Sequence, residues 1–298
     1  MRPVTGLTQV VGVIGWPVEH SLSPHMHNQA FAALGLDWTY IPFPTPPERL
    51  GEALRGLQAL GVRGVNVIIP HKEAVLPLLD ELEPMAERIG AVNTIVITPD
   101  RLRGHNTDWA GLGRALADLG VPPGGQAVCL LGTGGAARAA AALAASERSA
   151  SLAIVARTLP RGEALASLAA ELAPDMPVQV VPWDQREQAV RSCQLLVNCT
   201  SVGMWPDTQA SPIPPEWLAP GQAVYDLVYN PDPTRLVAAA RERGCRAQSG
   251  IGMLAHQGAI GQALWTGVQP PVPVMALAVR EALASAPGPG GSSRGKGK

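Results

Sequence analysis

Lysine is nearly missing from this chain: of its 23 basic residues twenty are arginines, and two of the three lysines, Lys296 and Lys298, stand at the very end. Lys72 is the one interior lysine. An ammonium group can give up its proton and a guanidinium effectively cannot, so a single lysine in an arginine-using chain points to proton chemistry at that position. Cysteine is scarce too. Cys129, Cys193, Cys199 and Cys245 lie far apart and form no CxxC, which argues against a disulfide framework and against zinc. No apolar run approaches the ~20 residues a membrane span needs, and MRPVTGLTQV lacks the basic-then-apolar plan of a signal peptide, so a cytoplasmic protein is expected. Only 16% of residues are charged, the net charge is −1 and 46% are hydrophobic. That balance excludes a disordered chain and an electrostatic nucleic-acid binder.

At about 150 residues per domain, 298 residues make roughly two domains. From residue 10, apolar or β-branched runs alternate with helical patterns: VVGVIG (10–15), a helix near 24–34, WTYIPF (38–43), a helix over about 47–60 and VNVII (65–69). A second series opens at QAVCLLG (126–132), with an alanine-rich helix to about 146, SLAIVAR (151–157) and a helix near 161–172. It continues through PVQVV (177–181), CQLLVN (193–198), AVYDLV (223–228) and a helix over 232–243. Strands separated by helices require parallel pairing through right-handed crossovers, so two α/β domains are expected. Their boundary falls near 108–125, where LGVPPGGQ (119–126) reads as a linker or turn. Two closing helical patterns, near 252–266 and 273–284, are placed to pack back on the first domain, and APGPGGSSRGKGK (286–298) has the composition of a disordered tail.

The segment LLGTGGAARAAAALAA sets Gly132, Gly134 and Ala137 in a GxGxxA arrangement between a strand and a helix. Gly132 permits a tight turn, Gly134 admits a pyrophosphate close to the backbone, and Ala137 lets helix and strand pack closely. A dinucleotide is the expected cofactor. Where an NAD-binding chain carries an acid at the end of the second strand, this one has Ala156, Arg157 and Thr158, with Arg161 just beyond. A carboxylate would repel a 2′-phosphate, whereas two guanidiniums and a hydroxyl can clamp it, so NADP(H) is expected over NAD. The plainer role of both arginines is a solvated helix start.

The other unusual residues gather in polar islands: SLSPHMHN (21–28), NVIIPHK (66–72), GAVNT (90–94), NTDWAG (106–111), NCTSVGM (198–204), DLVYNP (226–231) and GMLAHQGA (252–259). All six asparagines fall in them. Singly, asparagine serves turns and caps. Jointly, the islands tend to follow predicted strands, where open α/β sheets bind their ligands. His25 and His27 form an HxH that lacks a third ligand at suitable spacing, so no metal is expected. His71, His105 and His256 sit beside motif residues and receive no role.

As an ordered set, from about residue 9 to 284, these islands resemble the shikimate dehydrogenase family. The resemblance implies an N-terminal substrate-binding domain (1–108 and 252–285, the closing helices returning to it) and a Rossmann-type NADP-binding domain (109–251). By match, Ser21 and Ser23 hold a substrate carboxylate, Lys72 transfers the proton with Asp108 as its partner, Asn93 and Gln257 bond ring hydroxyls, and Tyr229 lines the pocket. For the cofactor the match gives Gly132, Thr133, Gly134, Gly135 and Ala136, then Ala156, Arg157, Thr158 and Arg161, with Leu227 and Gly250 near the nicotinamide. Oxidising a ring hydroxyl sends a hydride to the nicotinamide and a proton to a base within about 2.6–3.2 Å of that hydroxyl, a task open to neutral lysine. Simpler roles exist for three of these residues: Ser23 before Pro24 and Asp108 before Trp109 have the form of helix N-caps, and Lys72 that of a surface ion pair.

Two positions depart from the family pattern. Ile68 stands where a substrate-contacting threonine is usual, and Ala156 where asparagine is usual. The first bears on substrate affinity and choice; the second removes one hydrogen-bonding group and leaves both arginines. The implied reaction is the reversible exchange of shikimate and NADP⁺ with 3-dehydroshikimate and NADPH in aromatic amino-acid biosynthesis. The alternatives are a quinate or quinate/shikimate dehydrogenase, to which Ile68 points, and a non-catalytic ligand sensor, against which Lys72 and Asp108 argue. A folate dehydrogenase would leave SLS and NTD unexplained. The expected partner is a small-molecule substrate, with no nucleic acid or membrane, for a monomer or homodimer.

Overall fold

The computed structural model describes residues 3–285, so the stretch read as a disordered tail lies outside the described residues. The first series forms β1 (Gln9–Gly15), α1 (Ser23–Leu34), β2 (Trp38–Pro44), α2 (Leu50–Ala59) and β3 (Gly64–Val67), as the apolar spacing predicts. Then come α3 (His71–Ala74), β4 (Glu81–Leu82), α4 (Pro84–Ile89), β5 (Thr94–Thr98) and β6 (Arg101–His105), which are not assigned from the sequence; all but β5, TIVIT, are too short or too polar to stand out by periodicity. The sheet order is β2-β1-β3-β5-β6-β4. β1 pairs parallel with β2 and β3, but β5 runs antiparallel to both β3 and β6. The all-parallel expectation is therefore corrected to a mixed sheet. Only residues 99–100 separate β5 from β6, and a link that short can return the chain only antiparallel.

After α5 (Asp108–Asp118) the second series forms β7 (Ala127–Leu131), α6 (Gly135–Ser146), β8 (Ser151–Ala156), α7 (Leu159–Leu172), β9 (Val178–Pro182) and α8 (Arg186–Ser192). It ends with β10 (Leu195–Asn198), β11 (Ala223–Asp226), α9 (Arg235–Glu242) and β12 (Arg246–Ser249). All six strands pair in parallel in the order β12-β11-β10-β7-β8-β9, the Rossmann arrangement, whose order reverses between β7 and β10. Its small side chains let α6 bury Ala137, Ala140, Ala141, Ala144 and Ala145 against β7, α5 and α7. The four cysteines are free.

The chain closes with α10 (Ile251–Thr266) and α11 (Val272–Ser285). Ile251, Ala255, Ala259, Met275 and Val279 pack on Met26 and Ala30, which sets both helices against α1. α10 also runs along α5. A Cβ on Gly111 would come 2.7 Å from Gln257 Cβ, so this close approach needs glycine, and it holds Gln257 beside the first turn of α5. No described helix is long and apolar enough to cross a membrane.

Candidate active site

From the end of β3 the chain turns through Ile68, Ile69 and Pro70 into α3, which carries Lys72. From the end of β6 it passes Asn106 and Thr107 into α5, whose first residue is Asp108. The two meet: Lys72 Nζ donates to Asp108 Oδ2 at 2.6 Å. With the lysine side chain 22% exposed and the aspartate 7%, this is a sheltered pair and not the surface pair of the simpler reading. Nor does Asp108 cap α5. Thr107 holds the cap position, and Asp108 Oδ1 accepts from Asn93 Nδ2 at 2.8 Å. Ser23 is likewise inside α1, with Leu22 at the cap position.

Asn93, just before β5, is the hub. Its Nδ2 also faces Thr107 Oγ1 at 3.0 Å and Gln257 Oε1 at 3.2 Å, and its Oδ1 accepts from Thr107 N at 2.7 Å. Asn66 on β3 was not singled out in the sequence, yet its Nδ2 donates to Asn93 O at 3.2 Å and Thr94 Oγ1 at 3.0 Å. Its Oδ1 accepts from the Tyr40 hydroxyl at 2.8 Å. Burial pushes the Tyr40 phenol well up, against a hydrogen bond with Ser23. Lys72, Asp108, Asn93 and Gln257 thus form one cluster, which Asn66 and Tyr40 extend to Ser23. The island asparagines carried the signal for Asn66, and Thr94 closes the island GAVNT; Tyr40, inside a strand, gave none.

Ser21 adjoins the cluster through Ser23, whose N–H donates to Ser21 Oγ at 3.3 Å. Ile68 lies against Gly15 and packs with Val11, Val13 and Tyr40. Tyr229, after β11, packs among Leu22, Met26 and Ile251, and burial raises its phenol. Ser21, Ile68 and Tyr229 make no hydrogen bond to Lys72 or Asn93 among the described residues.

Gly132 directly follows β7 with φ +104°, a conformation that favours glycine. Beyond its own neighbours nothing lies within 4 Å of a Cβ built on Gly134, which caps α6. The turn of Thr133, Gly134, Gly135 and Ala136 therefore leaves room for a pyrophosphate against the free N–H groups of a helix start. A Cβ on Gly135 would stand 3.6 Å from Lys72 Cδ, so the glycine turn adjoins the lysine. One on Gly250 would come 2.2 Å from Leu227 O, which puts these two residues in contact. Ala156 is buried at the end of β8, while Arg157, Thr158 and Arg161 are exposed and free to meet a phosphate. This chain fits a dinucleotide carrying a 2′-phosphate.

Two buried groups beside these sites titrate in opposite senses. His25 is exposed, whereas His27 is buried with Nδ1 3.0 Å from Gln262 Oε1 and its ring stacked 4.4 Å from Tyr40. Burial lowers the His27 pKa to about 4, against the Gln262 hydrogen bond. Asp226, ending β11, is raised to about 6 by burial, against hydrogen bonds from Thr234, Val228 N–H and Asn198. His27 therefore contributes stability that is present above its unfolded pKa of about 6.5 and is lost as pH falls toward 4. For Asp226 the sign reverses: the folded state takes the proton first, so stability rises as pH falls through about 6. Between pH 7 and 5, urea unfolding should show His27→Gln gaining about 2 kcal/mol on the wild type and Asp226→Asn losing about 1 kcal/mol. Unchanged pH slopes in both variants would refute the assignment.

Similarity to known proteins agrees with this geometry. The family model described as the shikimate dehydrogenase substrate binding domain matches residues 13–95, and that of the shikimate 5′-dehydrogenase C-terminal domain matches residues 250–280. The sequence is 47% identical over 289 residues to the shikimate dehydrogenase (NADP(+)) of Moorella thermoacetica, covering 97% of this chain and 98% of that protein. To the enzyme of the same name from Geobacter metallireducens it is 46% identical over 283 residues, 94% of this chain and 99% of the other. The crystal structure of the Thermus thermophilus shikimate 5-dehydrogenase in complex with NADP(H) and shikimate superposes with a TM-score of 0.84 at 40% identity, over 93% of this chain and 100% of that one. With this likeness along almost its whole length, the chain belongs to the shikimate dehydrogenase family.

Proposed function

We propose that Lys72 moves the proton, held by Asp108, in the reversible NADP-dependent oxidation of shikimate to 3-dehydroshikimate, the oxidoreductase reaction of this family on the chorismate route to aromatic amino acids. The observation that carries the reading is the 2.6 Å contact of Lys72 with Asp108, next to the glycine turn. When bound, the nicotinamide supplies the hydride acceptor. Neutral Lys72 Nζ takes the proton of the reacting hydroxyl and returns it in the reverse direction. Asp108 is fixed through Asn93 on its carboxylate and Asn106 Oδ1 on its own N–H at 3.1 Å, and so orients the amine.

In this reading Asn93 and Gln257 bond the ring hydroxyls, Ser21 and Ser23 the carboxylate, and Tyr229 lines the pocket. Residues 132–136 hold the pyrophosphate, Arg157, Thr158 and Arg161 the 2′-phosphate, and Leu227 and Gly250 the nicotinamide. The substrate-binding domain is then 1–108 with 252–285, the cofactor domain 109–251. The protein acts in the cytoplasm, as a monomer or homodimer. Initial rates with shikimate and quinate, each with NADP⁺ and NAD⁺, test the assignment: shikimate with NADP⁺ should give the highest kcat/KM, and a higher value with quinate would return it to the quinate alternative.

Ile68 follows Asn66 by two residues on the same strand-end segment, so its side chain faces the same way. Ile68→Thr should lower the shikimate KM by about two- to tenfold, the worth of one added hydrogen bond, and leave the NADP⁺ KM unchanged. A change in the cofactor KM with none in the substrate KM would place Ile68 outside the substrate pocket.

A further inference from the structure

β8 and β9 pair in parallel with Ala156 opposite Pro182, so the next residue of each, Arg157 and Trp183, come out side by side. Arg157 Cζ lies 4.8 Å from the Trp183 ring centroid. Arg186, opening α8, lies 4.4 Å from the same centroid and 5.2 Å from that of Trp217. Backbone acceptors hold Arg186 in place: its Nε donates to Pro212 O at 3.1 Å and its Nη1 to Trp183 O. Trp183 and Trp217 are half-buried against the core beneath β10 and α9. Arg157 itself is exposed and has neither hydrogen bond nor ion pair among the described residues.

The choice of an aromatic partner matters. A guanidinium stacks by its face and keeps its N–H edge free for an anion, whereas a carboxylate partner would occupy that edge and repel phosphate. An arginine already resting on a ring has also lost part of its side-chain freedom before any ligand arrives. Two cations over one indole add positive potential where a phosphate dianion would sit.

We infer that Trp183, braced by Arg186 and Trp217, is a positioning residue for cofactor selection: it holds Arg157 ready for a 2′-phosphate. The inference rests on the reading that Arg157 binds that group.

Calorimetric titration of the cofactor-free protein with NADP⁺, NAD⁺ and adenosine 2′,5′-bisphosphate tests it, using Trp183→Leu, Trp183→Phe, Arg157→Gln and the Arg157→Gln/Trp183→Leu double variant. Trp183→Leu should weaken NADP⁺ and bisphosphate binding about two- to fivefold, the size of an exposed cation–π contact, and leave NAD⁺ binding unchanged. Trp183→Phe should recover most of the loss, and Trp183→Leu should add nothing once Arg157 is Gln. Equal weakening of NADP⁺ and NAD⁺ by Trp183→Leu would make the indole a structural residue and overturn the inference. So would wild-type NADP⁺ affinity in Trp183→Leu alongside a weakened Arg157→Gln. Wild-type NADP⁺ affinity in Arg157→Gln would instead overturn the reading of Arg157, and the inference with it.

Discussion

Lys72→Ala should lower kcat by about 10²- to 10⁴-fold, the usual contribution of a general acid–base residue, with far less change in the shikimate KM. Lys72→Arg should not restore it. A guanidinium can keep the charge and pair with Asp108, whose carboxylate now meets the amine at 2.6 Å, but it cannot accept a proton near neutral pH. If Lys72 served only as an electrostatic anchor for substrate, the pattern would differ: KM would rise, kcat would hold, and arginine would recover most of the binding. Measuring both parameters for both variants separates the cases. Near-normal kcat in Lys72→Arg would defeat the proton-transfer assignment.

Part of the proposed site was legible before any geometry was known. Lys72 stands out in a chain otherwise served by arginine, and the islands mark strand ends; Asp108 and Asn93 lie in those islands, and their expected roles came from the family resemblance. What holds them was not legible. Asn66 reaches Asn93 and Tyr40 only because β3 lies between β1 and β5, and no spacing along the chain encodes that neighbour relation. The Arg157–Trp183 stack is of the same kind, created by the register of β8 on β9. Periodicity also failed where it had too little to act on: β12 is the four residues RAQS, and β6 is RLRGH. Long apolar strands and the alanine-rich α6 were read correctly because burial dictates their composition.

Replacing Arg157 and Arg161 together with glutamine should weaken NADP⁺ binding by about 10²-fold or more while changing NAD⁺ binding little. Each charge-assisted hydrogen bond to phosphate contributes about 1.5–3 kcal/mol when sheltered, and the exposure of both side chains argues for the lower end. The same exposure means salt should erode the NADP preference of the unmodified protein, because a Debye length of about 10 Å at 0.1 M screens such pairs. NAD⁺ should not gain from the double replacement, since β8 ends in Ala156 with no carboxylate to take the ribose hydroxyls. Dissociation constants for both cofactors, at low and high salt, decide the matter. Equal losses for NADP⁺ and NAD⁺, or a preference indifferent to salt, would show that these arginines serve the start of α7 and do not read the 2′-phosphate.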